Sequence, residues 1–247
     1  MNALGHGMAD KRVDILRQIG RGGSISQAAR AVGVSYKAAW QALDTLTNLA
    51  GVPLVERVVG GVGGGGTTLT PAGQQLLAAA DAVRQARVSA LAQLDEGAAD
   101  LVATRLSVRT SMRNQWPCVV QDMQSRGQIV RVHLRGAGAA AVGLHVTARI
   151  TLESAQLLAL RPGVAVQALS KAMSVRVSAA SGADVPAGSN QWLGRATRVS
   201  RGELGDEVAE QLDAGVQMVG FAAPASGLRA RSRVVLAIDE SAVVLAV

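Results

Sequence analysis

The first fifty residues carry apolar positions at helical spacing, interrupted by glycine. The first stripe consists of Val13, Ile15, Leu16 and Ile19. A short helix over 24–32, with Ser26 as its N-cap, is expected next, and Gly33 permits a tight turn after it. A third helix, capped by Ser35, is predicted over 36–49. This order of elements predicts a helix-turn-helix, whose third helix enters the major groove of DNA.

A hairpin is predicted directly after these helices. Residues 54–58 and 67–70 have the composition of two strands, and the run 60–66 between them is almost entirely glycine. A hairpin after a helix-turn-helix makes a winged helix, whereas a plain three-helix bundle would not require one. The tip of this wing, with Gly63 and Gly64, has no side chains that would keep it from lying along a DNA backbone.

Several polar side chains of the predicted reading head could contact DNA. They are Ser26, Gln27, Ser35, Tyr36, Lys37 and Gln41. The glycine run also contains the spacing GxGxxG over 61–66, which occurs in nucleotide-binding loops. That motif requires a strand before it and a helix after it, and here a second strand follows. Thr67 also stands where a phosphate-binding loop would carry lysine, so nucleotide binding is not expected.

A long helix is predicted from Thr70, an N-cap, and Pro71, a good first helical residue, to about Leu94. Its apolar stripe is too long for the small winged domain to bury, so pairing with a second copy is expected. A two-fold dimer would place two reading helices on a palindromic site in double-stranded DNA.

Short alternations of valine with polar residues replace the helical stripes after residue 106. Such period-two patterns with glycine turns indicate small β-barrels. This half also repeats, since Asn114-Gln115-Trp116 recurs as Asn190-Gln191-Trp192, with the two tryptophans expected to close each barrel. The sequence therefore predicts a multidomain α+β protein. Its parts are a winged helix-turn-helix with a dimerisation helix (1–107) and two tandem all-β OB-like barrels (109–178 and 184–247), joined by a linker over 181–186.

The charge and the cysteine content narrow the classes of ligand and the cellular compartment that the chain suits. The chain carries 25 Lys and Arg against 18 Asp and Glu, and the excess is concentrated in 109–180, which suits an anion site. The single cysteine, Cys118, excludes a disulfide framework and fits a reducing compartment. Neither a signal peptide nor a run long enough to cross a membrane is apparent, so a cytoplasmic protein without a membrane partner is expected. No catalytic constellation or metal cluster stands out, and no enzyme is predicted.

Both halves resemble the ModE family of molybdate-dependent regulators. Residues 24–29 and 34–40 resemble the family's reading head, and the glycine run resembles its wing. Residues 110–115, Thr-Ser-Met-Arg-Asn-Gln, resemble the opening motif of the molybdate-binding Mop domains, and 170–175 resemble their closing strand. The reading head alone is also similar to LysR-type regulators, whose larger effector domain the remaining chain could not hold.

The resemblance implies molybdate as the ligand, bound between the subunits of a homodimer, with tungstate as a close mimic. The residues carried over by motif are Ser111, the backbone of Met112, Arg113, Thr151, Ser154, Lys171 and the backbone of Ala172, the last two from the partner subunit. A tetrahedral dianion accepts hydrogen bonds only, so hydroxyl, amide and cationic donors suit it. Lys171 is one of three lysines against 22 arginines, which suggests a requirement for a compact ammonium.

The chain departs from the family pattern at a few positions. Met112 replaces a small residue, and the second repeat carries Ser189 and Asp239 where the first carries Arg113 and Lys171. An aspartate repels a dianion, so one site per subunit is expected. The predicted function is a molybdate-responsive, DNA-binding regulator of genes for molybdate uptake or molybdenum enzymes. The alternatives are a molybdate-binding or storage protein and a regulator for another oxyanion such as tungstate or sulfate.

Overall fold

The computed structural model describes residues 11–58, 66–93, 110–138, 141, 143–180 and 189–247. The chain divides into two compact units. The first contains Met1–Ser107 together with Leu152–Leu160, and the second contains Val108–Thr151 together with Arg161–Val247. Each unit is described by itself below.

The first unit is mainly helical. Its elements are α1 (Lys11–Gly22), α2 (Ile25–Val32), α3 (Tyr36–Ala50), β1 (Val55–Val58), β2 (Gly66–Leu69), α4 (Pro71–Gln93) and the short α5 (Leu152–Leu157). Its core is built from aliphatic side chains at the predicted helical spacing. The large members of that core are Ile15, Leu16, Ile19, Ile25, Leu43, Leu46, Leu54 and Leu157. The helix-turn-helix prediction is therefore confirmed.

Local hydrogen bonds explain where these helices begin. Ser24 caps α2, because its backbone is extended and its side chain accepts from the Gln27 N–H at 3.4 Å. The predicted cap, Ser26, is wrong, because it already lies inside the first turn of the helix. Ser35 caps α3 as predicted, accepting from the Ala38 N–H at 3.1 Å. The positive φ of 70° at Gly33 ends α2 in a left-handed conformation that glycine adopts without strain.

The wing follows α3 as an antiparallel hairpin of β1 and β2. The Thr67 N–H donates to the carbonyl of Gly23 at 2.8 Å, which ties the hairpin to the turn between α1 and α2. The tip with Gly63 and Gly64 and the predicted linker over 181–186 lie outside the described residues. Within the described part of the chain, no helix is long and apolar enough to span a bilayer.

The second unit is mainly β-structure. Its strands are β3 (Asn114–Arg126), β4 (Ile129–Gly136), β5 (His145–Thr151), β6 (Ala165–Ser170), β7 (Arg176–Ala179), β8 (Ser189–Ser200), β9 (Asp206–Leu212), β10 (Gln217–Ala222), β11 (Arg233–Asp239) and β12 (Val244–Ala246). Two short 3₁₀ turns, Ala172–Ser174 and Glu240–Ala242, follow β6 and β11. The strand order is β12-β6-β3-β4-β5 in one sheet and β10-β7-β11-β8-β9 in a closed barrel.

The five-stranded sheet and the closed barrel, called the two β-bodies below, exchange strands between the two sequence repeats. β7 follows the first repeat in sequence but pairs with β10 and β11 of the second. β12 ends the second repeat but pairs with β6 of the first. The boundaries 109–178 and 184–247 stay a prediction for the sequence repeats. The pairing adds an exchange that the repeat pattern did not indicate.

Matching side chains join the two bodies in the same way on both sides. Asn114 makes two bonds of 2.8 Å to the backbone of Val219, and Asn190 makes bonds of 2.6 and 2.9 Å to that of Thr147. The indole N–H groups of Trp116 and Trp192 likewise donate to carbonyls of the opposite body, and their ring centroids lie 6.1 Å apart. Both tryptophans are buried. They therefore hold the five-stranded sheet and the closed barrel together, and their role in closing each repeat stays a prediction.

Candidate functional site

The predicted DNA-contacting side chains of the reading head are exposed. The exposed residues are Ser26, Gln27, Ser35, Tyr36, Lys37 and Gln41. Lys37 and Gln41 lie one helical turn apart on α3 and so share a face. Trp40 is half-buried and meets the Tyr36 ring edge-on, with centroids 6.4 Å apart. The first turns of α2 and α3 thus present hydroxyl, amide and ammonium donors together.

One of these donors already has a partner that the sequence did not suggest. Lys37 Nζ lies 2.8 Å from Oε1 of Glu153, a buried residue of α5 in the same unit. The backbone N–H of Ser35 donates to Oε1 of Gln156, also in α5, at 3.2 Å. A DNA phosphate that binds Lys37 therefore has to replace a carboxylate.

The predicted oxyanion donors come together at the junction of β3 and β6. The strand register places Asn114 opposite Ser170, and Asn114 Nδ2 donates to Ser170 Oγ at 3.3 Å. Arg113 immediately precedes β3 and Lys171 immediately follows β6, so the antiparallel register brings the two cationic residues opposite each other at one end of this buried pair. Lys171 is exposed and has no ion pair within the described part of the chain. Ala172, the first residue of the 3₁₀ turn, is buried.

A tight turn precedes Arg113 and holds the other two predicted donors. Ser111 is exposed. The Met112 N–H donates to the hydroxyl of Thr110 at 2.9 Å, and the Met112 carbonyl accepts from Gln115 Nε2 at 2.9 Å. These bonds fix the turn with hydroxyl, amide and guanidinium donors in sequence. Binding through the Met112 amide would require it to exchange its bond to Thr110.

The guanidinium of Arg113 is held by a carboxylate from the second repeat. Arg113 Nη1 lies 2.5 Å from Glu207 Oε2, and Nη2 lies 3.4 Å from Oε1. Arg198 Nη2 lies 3.3 Å from the same Oε1. Glu207 is therefore placed between two arginines, one of which is a predicted ligand residue.

Thr151 does not join these donors within the second unit. Thr151 pairs with Ile129, which pairs with Arg126 at the end of β3 opposite to Asn114. Ser154 belongs to α5, in the first unit. The β3–β6 register places Lys171 next to Arg113 within one chain, whereas the expectation assigned Lys171 and Ala172 to a second subunit.

The equivalent position in the second repeat is occupied by carboxylates. Asp239 lies 3.1 Å from Arg149, and Glu240 accepts from Arg131 Nε at 2.8 Å. The hydrogen bond from Ser241, followed by the charge of Arg149, lowers the pKa of Asp239. These cations are already neutralised by the protein. This supports the expectation that the second repeat does not bind a dianion by the same route.

The sequence repeat points to Glu207 only once the strand register is known. The bulged pairing of β8 with β9 matches that of β3 with β4, which makes Glu207 the counterpart of Arg131 and Glu210 the counterpart of Leu134. A reversed charge and a buried carboxylate at repeat-related positions both stand out once the register is known. Glu153 offered no comparable signal, because its contact with Lys37 spans distant parts of the sequence.

Other chemistry finds little support in the described residues. No three His, Cys, Asp or Glu side chains converge on a metal position in the ranges that the structure describes. Cys118 is buried, and burial raises the pKa of its thiol to about 12, so it packs as a small apolar residue.

Family models match both halves of the chain. The bacterial regulatory helix-turn-helix model of the LysR family matches residues 11–74, and the TOBE domain model matches residues 110–177. Among solved structures, the cytoplasmic molybdate-binding protein ModG, with molybdate bound, is 25% identical with a TM-score of 0.52. That match covers 57% of this chain and 99% of ModG.

Curated relatives cover most of the chain. The molybdenum-pterin-binding protein MopB of Rhodobacter capsulatus is 39% identical over 219 residues, which are 87% of this chain and 79% of MopB. The molybdenum transport protein ModE of Azotobacter vinelandii is 36% identical over 222 residues, which are 86% of this chain and 80% of that protein. The winged reading head, the paired β-bodies and these relatives together identify the chain as a member of the ModE family.

Proposed function

We propose that this chain is a molybdate-responsive transcriptional regulator that acts on genes for molybdate uptake or molybdenum enzymes. The observation that carries the proposal is the β3–β6 register, which brings Arg113 and Lys171 opposite each other next to the Asn114–Ser170 pair. These two cationic residues and the exposed Ser111 hydroxyl, two positions before Arg113, have the donor chemistry that a tetrahedral dianion requires. A helix-turn-helix in the same chain provides a DNA-binding activity that ligand binding at this site can regulate.

The proposed ligand site is completed by a second subunit. Ser111, the Met112 amide, Arg113, Lys171 and the Ala172 amide come from one chain, and Thr151 and Ser154 from the other. This division requires a homodimer, which α4 also favours because its described outer face stays exposed, as at Val83. Tungstate, which is nearly the same size as molybdate, should bind as well, whereas sulfate is smaller and would leave donors unmet.

The proposed response is a change in how the dimer presents its two reading helices. A ligand that bridges two chains favours one arrangement of the subunits, and that arrangement sets the spacing of the helices on a palindromic operator. Coupling between two sites of this kind is typically about 1–3 kcal/mol. The regulator would act in the cytoplasm, where its operator and molybdate meet, and would need no catalytic step.

A gel mobility shift with palindromic DNA, with and without sodium molybdate, tests this proposal. We expect DNA affinity to change about 5- to 150-fold when molybdate is added, the range that such coupling energies give. A protein that binds molybdate but never binds the DNA would instead be a storage protein. Equal responses to molybdate and sulfate would indicate a general oxyanion regulator.

Lys37→Gln is expected to weaken DNA binding about fivefold, because one ammonium–phosphate contact is lost. The salt dependence of binding should fall by about one unit of slope, since one fewer counterion is released. Fluorescence anisotropy at several salt concentrations measures both quantities. Lys11→Gln, at the start of α1 rather than on α3, makes the same charge change and is the control. Equal losses in the two variants would mean that overall charge, not the reading helix, is responsible.

A further inference from the structure

We infer that Glu207 is an affinity-setting residue, which competes with the oxyanion for the guanidinium of Arg113. The inference rests on the proposed function, since it assumes that Arg113 binds the ligand. It adds a residue from the second repeat to the control of a site built by the first.

The geometry of the ion pair makes the competition direct. Arg113 uses both terminal nitrogens on Glu207, at 2.5 and 3.4 Å. A guanidinium presents these donors as a planar fork, which fits the two oxygens of a carboxylate or two oxygens of a tetrahedral oxyanion. The same prongs cannot serve both anions at once. An oxyanion that binds in the plane of these two terminal nitrogens therefore has to displace the carboxylate.

A second arginine, Arg198, can hold the carboxylate of Glu207 after it leaves Arg113. Arg198 Nη2 lies 3.3 Å from Glu207 Oε1, so Glu207 keeps one cationic partner after Arg113 turns to the ligand. Lys171 has no carboxylate against it in the described part of the chain. Of the two cationic residues at this end of the β3–β6 ladder, Arg113 is thus the one whose charge is partly neutralised by a carboxylate.

Partial exposure limits the size of the effect. The side chain of Glu207 is 24% exposed and that of Arg113 is 47% exposed. Solvent screens an ion pair of this kind, so it competes with a ligand without locking the site. Removal of the carboxylate should consequently tighten binding by about tenfold, at the lower end of the change expected when a ligand residue is deleted.

The repeat argues that the fold itself does not require a glutamate here. Arg131 occupies the equivalent position on β4, where it binds Glu240 instead. A cation and a carboxylate are therefore both accepted on this outer face of the barrel. The fold therefore does not dictate the negative charge of Glu207, and its effect on Arg113 can account for it.

Calorimetric titration of the full-length protein with sodium molybdate tests the inference. Glu207→Gln keeps the shape of the side chain and removes its charge, and we expect its Kd to be about tenfold lower than that of the wild type. Glu203→Gln makes the same charge change on an exposed residue of the β8–β9 connection and should leave the Kd unchanged. An equal gain in both variants would overturn the inference, because net charge alone would then explain it.

The molybdate Kd of Arg198→Gln gives a second test, because a purely structural role of Glu207 would not predict a change in it. Without Arg198, Glu207 should hold Arg113 more firmly, so molybdate binding should weaken severalfold. Combined with Glu207→Gln, the arginine substitution should have no further effect. If the wild type binds molybdate and Glu207→Gln binds it equally or less well, the inference fails and the proposed function stands. A wild type that ignores molybdate overturns both.

Discussion

Replacement of Lys171 by alanine is expected to weaken molybdate binding about 10- to 100-fold, because hydrogen bonds from a charged donor contribute about 1.5–3 kcal/mol each. Lys171 follows β6 next to Arg113 in the β3–β6 register and is exposed, so its removal should not disturb the sheet. Tryptophan fluorescence gives a local readout, since Trp116 is only two residues beyond Asn114 on β3. Calorimetry gives the affinity independently of any optical change.

Two further lysine variants make this result specific. Lys11→Ala removes the same charge from α1 and should leave the molybdate Kd unchanged. Lys171→Arg keeps the charge but replaces a compact ammonium by a wide fork, so we expect it to recover only part of the affinity. Full affinity in Lys171→Ala would show that the ligand is held elsewhere.

Replacement of Glu210 by leucine is expected to raise the free energy of unfolding by about 3 kcal/mol or more near pH 8. Glu210 is 1% exposed in the closed barrel, and neither carboxylate oxygen has a hydrogen-bond partner among the described residues. Burial raises the pKa of this carboxyl from 4.5 to about 8. Leucine is a suitable replacement, because Leu134 fills the matching position of the first repeat and is equally buried.

The sign of the pH dependence follows from the raised pKa. Below pH 4.5 the carboxyl is protonated in both the folded and the unfolded chain, and its contribution to stability is fully present. Between pH 4.5 and about 8 the unfolded chain loses the proton while the folded chain keeps it, so stability falls as the pH rises. Urea unfolding of the wild type and Glu210→Leu across this range should show the difference widening toward pH 8. Glu203→Leu, on the surface, serves as the control, and a pH-independent difference would contradict the assignment.

The helical part of the fold was predictable because its signals are local. Helical spacing of Ile15, Leu16 and Ile19 and the turn at Gly33 specify the three helices without reference to the rest of the chain. Even there, the choice between Ser24 and Ser26 as the cap of α2 was missed. Both serines fit the pattern, and only the extended backbone at Ser24 separates them.

The site was only partly predictable, because its contacts join distant positions. The motifs indicated Arg113 and Lys171, and the pairing of Asn114 with Ser170 explains why they are neighbours. The partner of Arg113, Glu207, is 94 positions further along the chain, so no local pattern could indicate it. The strand exchange is hidden for the same reason: a repeat in sequence does not say with which copy its last strand will pair.

The exchanged strands also bear on how the β-rich unit folds and responds. Since β7 completes the barrel of the second repeat and β12 extends the sheet of the first, neither repeat is an autonomous folding unit. The two should melt in a single cooperative transition, and a truncation that removes β12 would leave β6 with an unpaired edge open to aggregation. Because β7 and β12 pair with strands of the opposite repeat, a distortion of one repeat also displaces strands of the other.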